Sequence, residues 1–104
     1  MLTFNLKKEW FDKIKNGVKT HEYRMMTDYW KKRVGNVLKH LTPREKREGV
    51  KCFFCLGYPK ADDKERRLEG RIIQIAHFVE AKNTDLKCDG YCFDFEFELI
   101  KEER

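Results

Sequence analysis

Residues 17–24, with the sequence GVKTHEYR, concentrate hydrogen-bonding side chains directly behind an apolar helical stretch. If this segment is a strand, its side chains alternate between two faces, with Val18, Thr20, Glu22 and Arg24 on one and Lys19, His21 and Tyr23 on the other. A face with three polar groups out of four makes a poor core. It makes a suitable wall for a binding cleft.

The chemistry of four of these residues, Lys19, Thr20, Glu22 and Arg24, fits recognition of a nucleotide. The Glu22 carboxylate can accept a hydrogen bond from the exocyclic amine of a base, and the Arg24 guanidinium can bind a phosphate through two N–H groups. Lys19 adds a movable point charge. The alternative is an exposed strand with a Glu22–Arg24 ion pair worth less than about 1 kcal/mol.

Lys19 and Glu22 could also act as an acid/base pair, for example on the 2′-hydroxyl of RNA. The three histidines, His21, His40 and His77, fall on different predicted elements, and the sequence offers no histidine pair or metal-carboxylate pattern typical of nucleases. Whether the chain is an enzyme therefore stays open, with Lys19 and Glu22 as catalytic residues only in that case.

The four cysteines raise the question of a zinc site. Bulky Phe53 and Phe54 lie between Cys52 and Cys55, where zinc knuckles usually have small or turn-forming residues. Reduced thiols are favoured over a structural zinc for these two and for Cys88 and Cys92. We expect no metal and no cofactor.

The segment DYWKKRV, residues 28–34, alternates aromatic and basic groups. Such a pattern can bind single-stranded nucleic acid, with an aromatic ring stacked on a base and cations at the phosphates. Trp30 and Val34 lie four apart on a predicted helix, so Trp30 is assigned to the core. Lys31, Arg33 and Tyr58, which follows Gly57 and could close the cleft, complete the candidate nucleic-acid-binding residues.

Charge is unevenly distributed along the chain. Residues 1–60 contain 15 Lys/Arg and 6 Asp/Glu, whereas residues 61–104 contain 8 and 12. A basic region gains affinity for a polyanion by releasing counterions, so this asymmetry favours an RNA or nucleotide partner. A lysine-rich solvated surface is the alternative.

The elements that must position these residues follow from periodicity. Leu2, Phe4 and Leu6 alternate as in a strand, and Phe93 to Leu99 repeat the pattern so clearly that this apolar stripe is assigned to the core. Trp10, Phe11 and Ile14 recur at helical spacing up to Gly17, which can end the helix. The other predicted elements are short helices after Thr27 and Thr42, strands at 50–58 and 71–80, a charged loop at 60–70 and a loop at 81–90.

Together these elements predict an α+β domain with about five or six mostly antiparallel strands, curled into a small β-barrel and decorated with two or three short helices. The 104 residues suit a single domain, residues 1–104. No apolar run is long enough to span a bilayer, so a soluble, cytoplasmic protein without membrane contact is expected, taken as a monomer.

The order of these segments resembles the ASCH domain of the PUA-like superfamily. The resemblance rests on a helix ending in glycine followed by Lys-x-x-Glu-x-Arg, here Gly17, Lys19, Glu22 and Arg24. It covers most of the chain, most strongly residues 4–33 and more weakly 50–58. It implies a small barrel with a surface cleft at this motif and binding of RNA or modified nucleotides.

One bacterial branch of that fold is an amidohydrolase acting on N4-acetylcytidine, with the signature Gly-x-Lys-Thr-x-Thr-x-Arg. Lys19 and Thr20 match this signature, but Glu22 stands at the position of the nucleophilic threonine. We therefore do not assign the amidohydrolase activity to this chain. An RNA- or nucleotide-binding module remains the preferred function; a small hydrolase acting on RNA or a modified nucleoside, and a protein-interaction adaptor, are the alternatives.

Overall fold

A computed structural model describes residues 1–100 of the chain, which form a five-stranded mixed sheet and three α-helices. The strands are β1 (Leu2–Leu6), β2 (His21–Met25), β3 (Val50–Leu56), β4 (Arg67–Glu80) and β5 (Tyr91–Leu99). The helices are α1 (Lys8–Lys15), α2 (Asp28–Lys39) and α3 (Pro43–Glu48), and a single 3-10 turn, Ala81–Asn83, follows β4. None of the helices in this described part is long and apolar enough to cross a membrane.

The strand order in the sheet is β1-β3-β4-β5-β2, with β1 parallel to β3 and every other neighbouring pair antiparallel. The sheet curls into a half-barrel that leaves β1 and β2 as its two edges. The predictions of an α+β domain, about five strands and two or three helices are confirmed. In place of the predicted small barrel the sheet forms a half-barrel, and it is a mixed sheet because β1 and β3 are parallel.

Aromatic residues form the core inside the curve of the sheet. Phe4 stacks on Phe54 and Trp30, at ring-centroid distances of 5.4 and 5.3 Å, and meets Phe95 edge-on at 5.0 Å. All four side chains are buried, which confirms the assignment of Trp30 to the core. The alternating stripe of β5 is also core, since Phe93, Phe95 and Phe97 are buried.

The helix ends follow the sequence signals. Thr27 accepts a hydrogen bond from the backbone N–H of Trp30, and Thr42 forms a capping box with Glu45. Gly17 adopts a φ of +76° after α1, and the N–H groups of residues 17 and 18 bond back to the carbonyls of Ile14 and Lys13. This arrangement is a Schellman motif, in which glycine is favoured because its φ is positive.

Several element boundaries differ from the sequence prediction, and two of these differences change the extent of an element most. Helix α2 extends through twelve residues to Lys39, beyond the expected 28–34. Strand β4 begins at Arg67, inside the predicted charged loop, because residues 67–72 pair with β3 in a continuous antiparallel ladder. The Arg67 guanidinium lies over the Phe53 ring at 3.5 Å from its centroid, so a charged residue can belong to this strand without losing its contact with solvent.

Candidate functional site

Lys19 does not lie on the strand that its neighbours form. Strand β2 begins at His21, and the backbone N–H of Lys19 instead donates to the carbonyl of Lys13 at the end of α1, at 3.1 Å. The predicted alternation, which placed Lys19 and Glu22 on opposite faces, therefore fails at Lys19. The structure brings the two side chains together.

The Lys19 ammonium is the centre of a buried charge cluster. Its Nζ lies 3.4 Å from Glu22 Oε1 and donates a hydrogen bond to Asp85 Oδ2. It also lies over the rings of Tyr23 and Trp10, at 4.8 and 5.5 Å from their centroids. Lys19 is only 9% exposed and Glu22 only 5%, so both charges have lost most of their hydration.

Glu22 connects this lysine to Arg24. Its Oε2 accepts from Arg24 Nη2 at 2.8 Å and from Nε at 3.2 Å, and its Oε1 accepts from the backbone N–H of Tyr23 at 3.2 Å. Lys19, Glu22 and Arg24 thus form one network in which a single carboxylate joins two cations.

Arg24 also bridges the opening of the half-barrel. Its Nη2 donates to the backbone carbonyl of Asn5 on β1 at 3.1 Å, and its guanidinium lies over the rings of Phe4 and Trp30. Since β1 and β2 are the two edges of the sheet, this side chain connects edges that are not paired through their backbones. No partner of Arg24 Nη1 is found within residues 1–100.

A cleft of about 260 Å³ opens at this bridge. Residues of α1, both edge strands and the 81–90 loop line it, among them Asn5, Trp10, Lys19, Glu22, Tyr23, Arg24 and Asp85. A second recess of about 300 Å³ lies on the other side of Lys19 and is lined by Lys13, Thr20 and His21 as well as Trp10 and Tyr23. Lys19 lines both recesses, and so do the two aromatic rings.

The surroundings of Tyr23 in the cleft shift the pKa of its phenol clearly. Burial raises the pKa of the Tyr23 phenol, and the nearby carboxylates of Asp94 and Asp85 raise this pKa further. His21 packs beside it, with its ring 6.3 Å from the tyrosine ring and its Nδ1 2.7 Å from Asp94 Oδ1. The phenol therefore keeps its proton to a higher pH than an ordinary tyrosine does, and it lies at the wall of the cleft.

The other predicted site residues lie outside this charge cluster, and only Thr20 lines one of the two recesses. Thr20 is exposed and lines the second recess. Lys31 and Arg33 lie on the exposed surface of α2, and Tyr58 is 90% exposed in the loop after β3. Within the described residues these last three line neither recess around Lys19.

Sequence reasoning missed three contributors to the cleft. The helical apolar pattern accounts for Trp10 without indicating a role in a cleft, and Asn5 contributes its backbone carbonyl, which has no sequence signature. Asp85 lies in the 81–90 loop, 66 positions from Lys19. Nothing in the sequence pairs these two residues, because their contact depends on how the loop folds over the sheet.

The cysteines are separate from the cleft. All four are free thiols, of which Cys88 is exposed and the others are buried. Burial raises the pKa of the Cys52 thiol to about 12, so this group is an unreactive part of the core. Within residues 1–100 no group of three or more His, Cys, Asp or Glu side chains is placed to hold a metal ion.

Comparison of the chain with protein-family models, with curated proteins and with solved structures found no match.

Proposed function

We propose that this protein binds single-stranded RNA or a nucleotide in the cleft between β1 and β2, and that its half-barrel is a PUA-like domain of the ASCH type. The observation that supports the proposal is the network of buried Lys19 and Glu22 with half-buried Arg24 at the opening of the half-barrel. It contains the three charged residues of the motif Lys-x-x-Glu-x-Arg.

Such a network is costly for the fold alone. Removing charges from water costs several kcal/mol per ion, and well-packed apolar residues of similar size often give equal or greater stability. Lys19 and Glu22 are buried beside a surface cleft and not within the aromatic core. Charged groups held in that position are typical of a binding or catalytic site.

The groups that line the cleft match the parts of a nucleotide. Trp10 and Tyr23 offer aromatic surface to a base, and single-stranded RNA is the nucleic acid whose bases are free to use it. The Nη1 group of Arg24 and the ammonium groups of Lys7 and Lys19 offer donors and positive charge to a phosphate. The uneven charge of the chain adds long-range attraction for a polyanion.

The test is a fluorescence-anisotropy titration of a short labelled single-stranded RNA at two salt concentrations. The wild-type protein is compared with Lys19→Met, which removes the buried charge, and with Lys39→Met, which removes an exposed charge at the end of α2. We expect wild-type affinity to fall steeply with salt, Lys19→Met to lose about tenfold or more, and Lys39→Met to lose much less.

Equal affinities of the two lysine variants would contradict the assignment of the cleft, and the absence of wild-type binding would contradict the function. Circular dichroism and thermal melts of both variants establish that each is folded. Competition by unlabelled mononucleotides then tells whether a single nucleotide is sufficient for binding.

The hydrolase alternative is supported by one observation, the 3.4 Å separation of Lys19 Nζ and Glu22 Oε1, which places the two predicted catalytic groups in contact. In this case the pair would act on RNA or a modified nucleoside as an acid/base pair. Gel analysis of the RNA after the same titration tests it. Cleavage by the wild type that is lost in Lys19→Met would support catalysis, and intact RNA throughout would support binding alone.

A further inference from the structure

A second surface feature, which does not involve the predicted motif, lies at the C-terminal end of β2. Phe78 of β4 and Tyr91 of β5 are 63% and 52% exposed, and their rings meet edge-on with centroids 5.8 Å apart. With Met25, Met26, Thr27 and Lys31 they line a groove of about 290 Å³, which we call the aromatic patch.

Phe78 has an unusual backbone conformation for its type. It lies in a β-bulge, where His77 and Phe78 together oppose one residue of β5, and its φ is +52°. Its N–H donates to Met26 Sδ at 3.3 Å and not to a neighbouring strand. A left-handed conformation costs a residue other than glycine roughly 1–2 kcal/mol, and bulges commonly redirect a side chain toward a ligand.

This cost is not offset by burial of the ring. A phenylalanine in a core would gain about 1.5–3 kcal/mol from burial, but Phe78 keeps most of its surface in water. Residues held in costly conformations at a surface are concentrated at binding sites. The bulge therefore presents an aromatic face outward.

The position and charge of the aromatic patch indicate which ligand it fits. Tyr23 lines the cleft and Met25 lines the aromatic patch, and these two residues lie two positions apart on the same face of β2, which is roughly 7 Å at about 3.3 Å per strand residue. Lys31 places a cation at the edge of the patch. Aromatic rings beside a cation, next to a nucleotide-sized cleft, match the repeating base and phosphate of a single strand.

We propose that the aromatic patch stacks a second base of the same single-stranded RNA whose first base occupies the cleft. This proposal rests on the proposed function. It assigns Phe78 and Tyr91 as base-stacking residues and Lys31 as a phosphate contact, and it predicts a ligand of at least two nucleotides.

The deciding variant is Phe78→Gly, because glycine removes the ring and also adopts the positive φ without strain. We expect its affinity for the short RNA to fall roughly tenfold while its melting temperature stays equal to or above that of the wild type. Tyr91→Ala should weaken binding in the same direction. Phe78→Trp, which keeps an aromatic face, should retain most of the affinity.

The matched control is Leu38→Ala, which removes a comparably exposed apolar side chain from α2. Affinity for a mononucleotide should be equal in the wild type and Phe78→Gly, since one nucleotide fills only the cleft. Wild-type binding of the RNA with no loss in Phe78→Gly would overturn this inference and leave the proposed function standing. No RNA binding by the wild type would overturn both.

Discussion

The cleft and the aromatic patch lie close together along β2 and are built in opposite ways. In the cleft, buried Lys19 and Glu22 and half-buried Arg24 are bound to one another, so that these charged side chains depend on partners within the chain. In the aromatic patch, apolar rings are exposed and the backbone of Phe78 is strained. The fold gives up stability in both regions, through desolvated charge in one and through uncovered apolar surface in the other.

This difference predicts different responses to mutation. A network of buried charges is sensitive to the loss of any member, because the remaining charges lose their compensation. An exposed ring can be removed with little damage to the fold. Loss of stability should therefore be greatest in the cleft and small or reversed at Phe78, whereas RNA affinity should fall in both.

The largest effect is expected for Glu22→Gln. This change leaves buried Lys19 and half-buried Arg24 without their shared carboxylate, and breaking a buried ion pair typically costs about 3–5 kcal/mol of unfolding free energy. Urea denaturation measures it. The control is Asp12→Asn, which breaks the exposed Lys8–Asp12 pair and should cost less than about 1 kcal/mol. Similar losses in the two variants would show that the cleft network is not structurally important.

A smaller loss is expected for Gly90→Ala, at the turn before β5. Gly90 has a φ of +106°, and an added Cβ would lie 3.0 Å from Met25 Cε in the aromatic patch. We expect destabilisation of about 1–2 kcal/mol, mostly from the backbone because the methionine side chain can move. Gly35→Ala in α2 is the control and should stabilise the protein by about 0.5–1 kcal/mol, since it is helical and has open space around it. A neutral Gly90→Ala would contradict this reading of the turn.

Asp85→Asn should have a weaker effect on stability, near 1 kcal/mol or below. Asp85 contacts the Lys19 ammonium, but its side chain is 40% exposed, so solvent screens the pair. Asp89→Asn, an exposed change in the same loop, provides the reference in thermal melts. A loss as large as that of Glu22→Gln would contradict this expectation and would mean that the 81–90 loop supports Lys19 as strongly as β2 does.

The smallest effect concerns Tyr23 at high pH. Its pKa is raised in the folded state, first by burial and then by neighbouring carboxylates. The unfolded chain therefore loses this proton first, and stability should decline as pH rises above about 10, the ordinary tyrosine value. Tyr23→Phe should show a shallower decline in unfolding free energy over this range. An unchanged slope would show that Tyr23 does not titrate differently in the two states.

Much of the fold is predictable because it depends on local patterns. The alternation in β1 and β5, the capping residues Thr27 and Thr42 and the glycine after α1 each specify structure within a few residues, and all are found as expected. The start of β4 at Arg67 escapes local reasoning, since it depends on pairing with a distant strand.

The cleft is predictable only in part, for the same reason. The motif residues Lys19, Glu22 and Arg24 do come together, but their arrangement follows from the Schellman turn that directs Lys19 away from the strand alternation. The contact of Asp85 with Lys19 depends on how the 81–90 loop folds over the start of β2, and the bulge at Phe78 depends on the pairing of β4 with β5. The spacing of residues along the sequence predicts neither the Asp85–Lys19 contact nor the bulge at Phe78.

The parallel pairing of β1 with β3 has a consequence for the time course of folding. Leu2 pairs with Cys52, so this contact closes a loop of about 50 residues, whereas β3, β4 and β5 follow one another as antiparallel neighbours. Pairing of β2 with β5 spans an even longer stretch, from His21 to Glu96. Closure entropy favours the nearer contacts, so we expect the three-strand meander to form early and the two edge strands, β1 and β2, to dock late. Because Arg24 of β2 bonds to Asn5 of β1, the cleft would be completed only when both edge strands have docked. A nascent or partly folded chain would then lack the site, and ligand binding would report on the fully assembled protein.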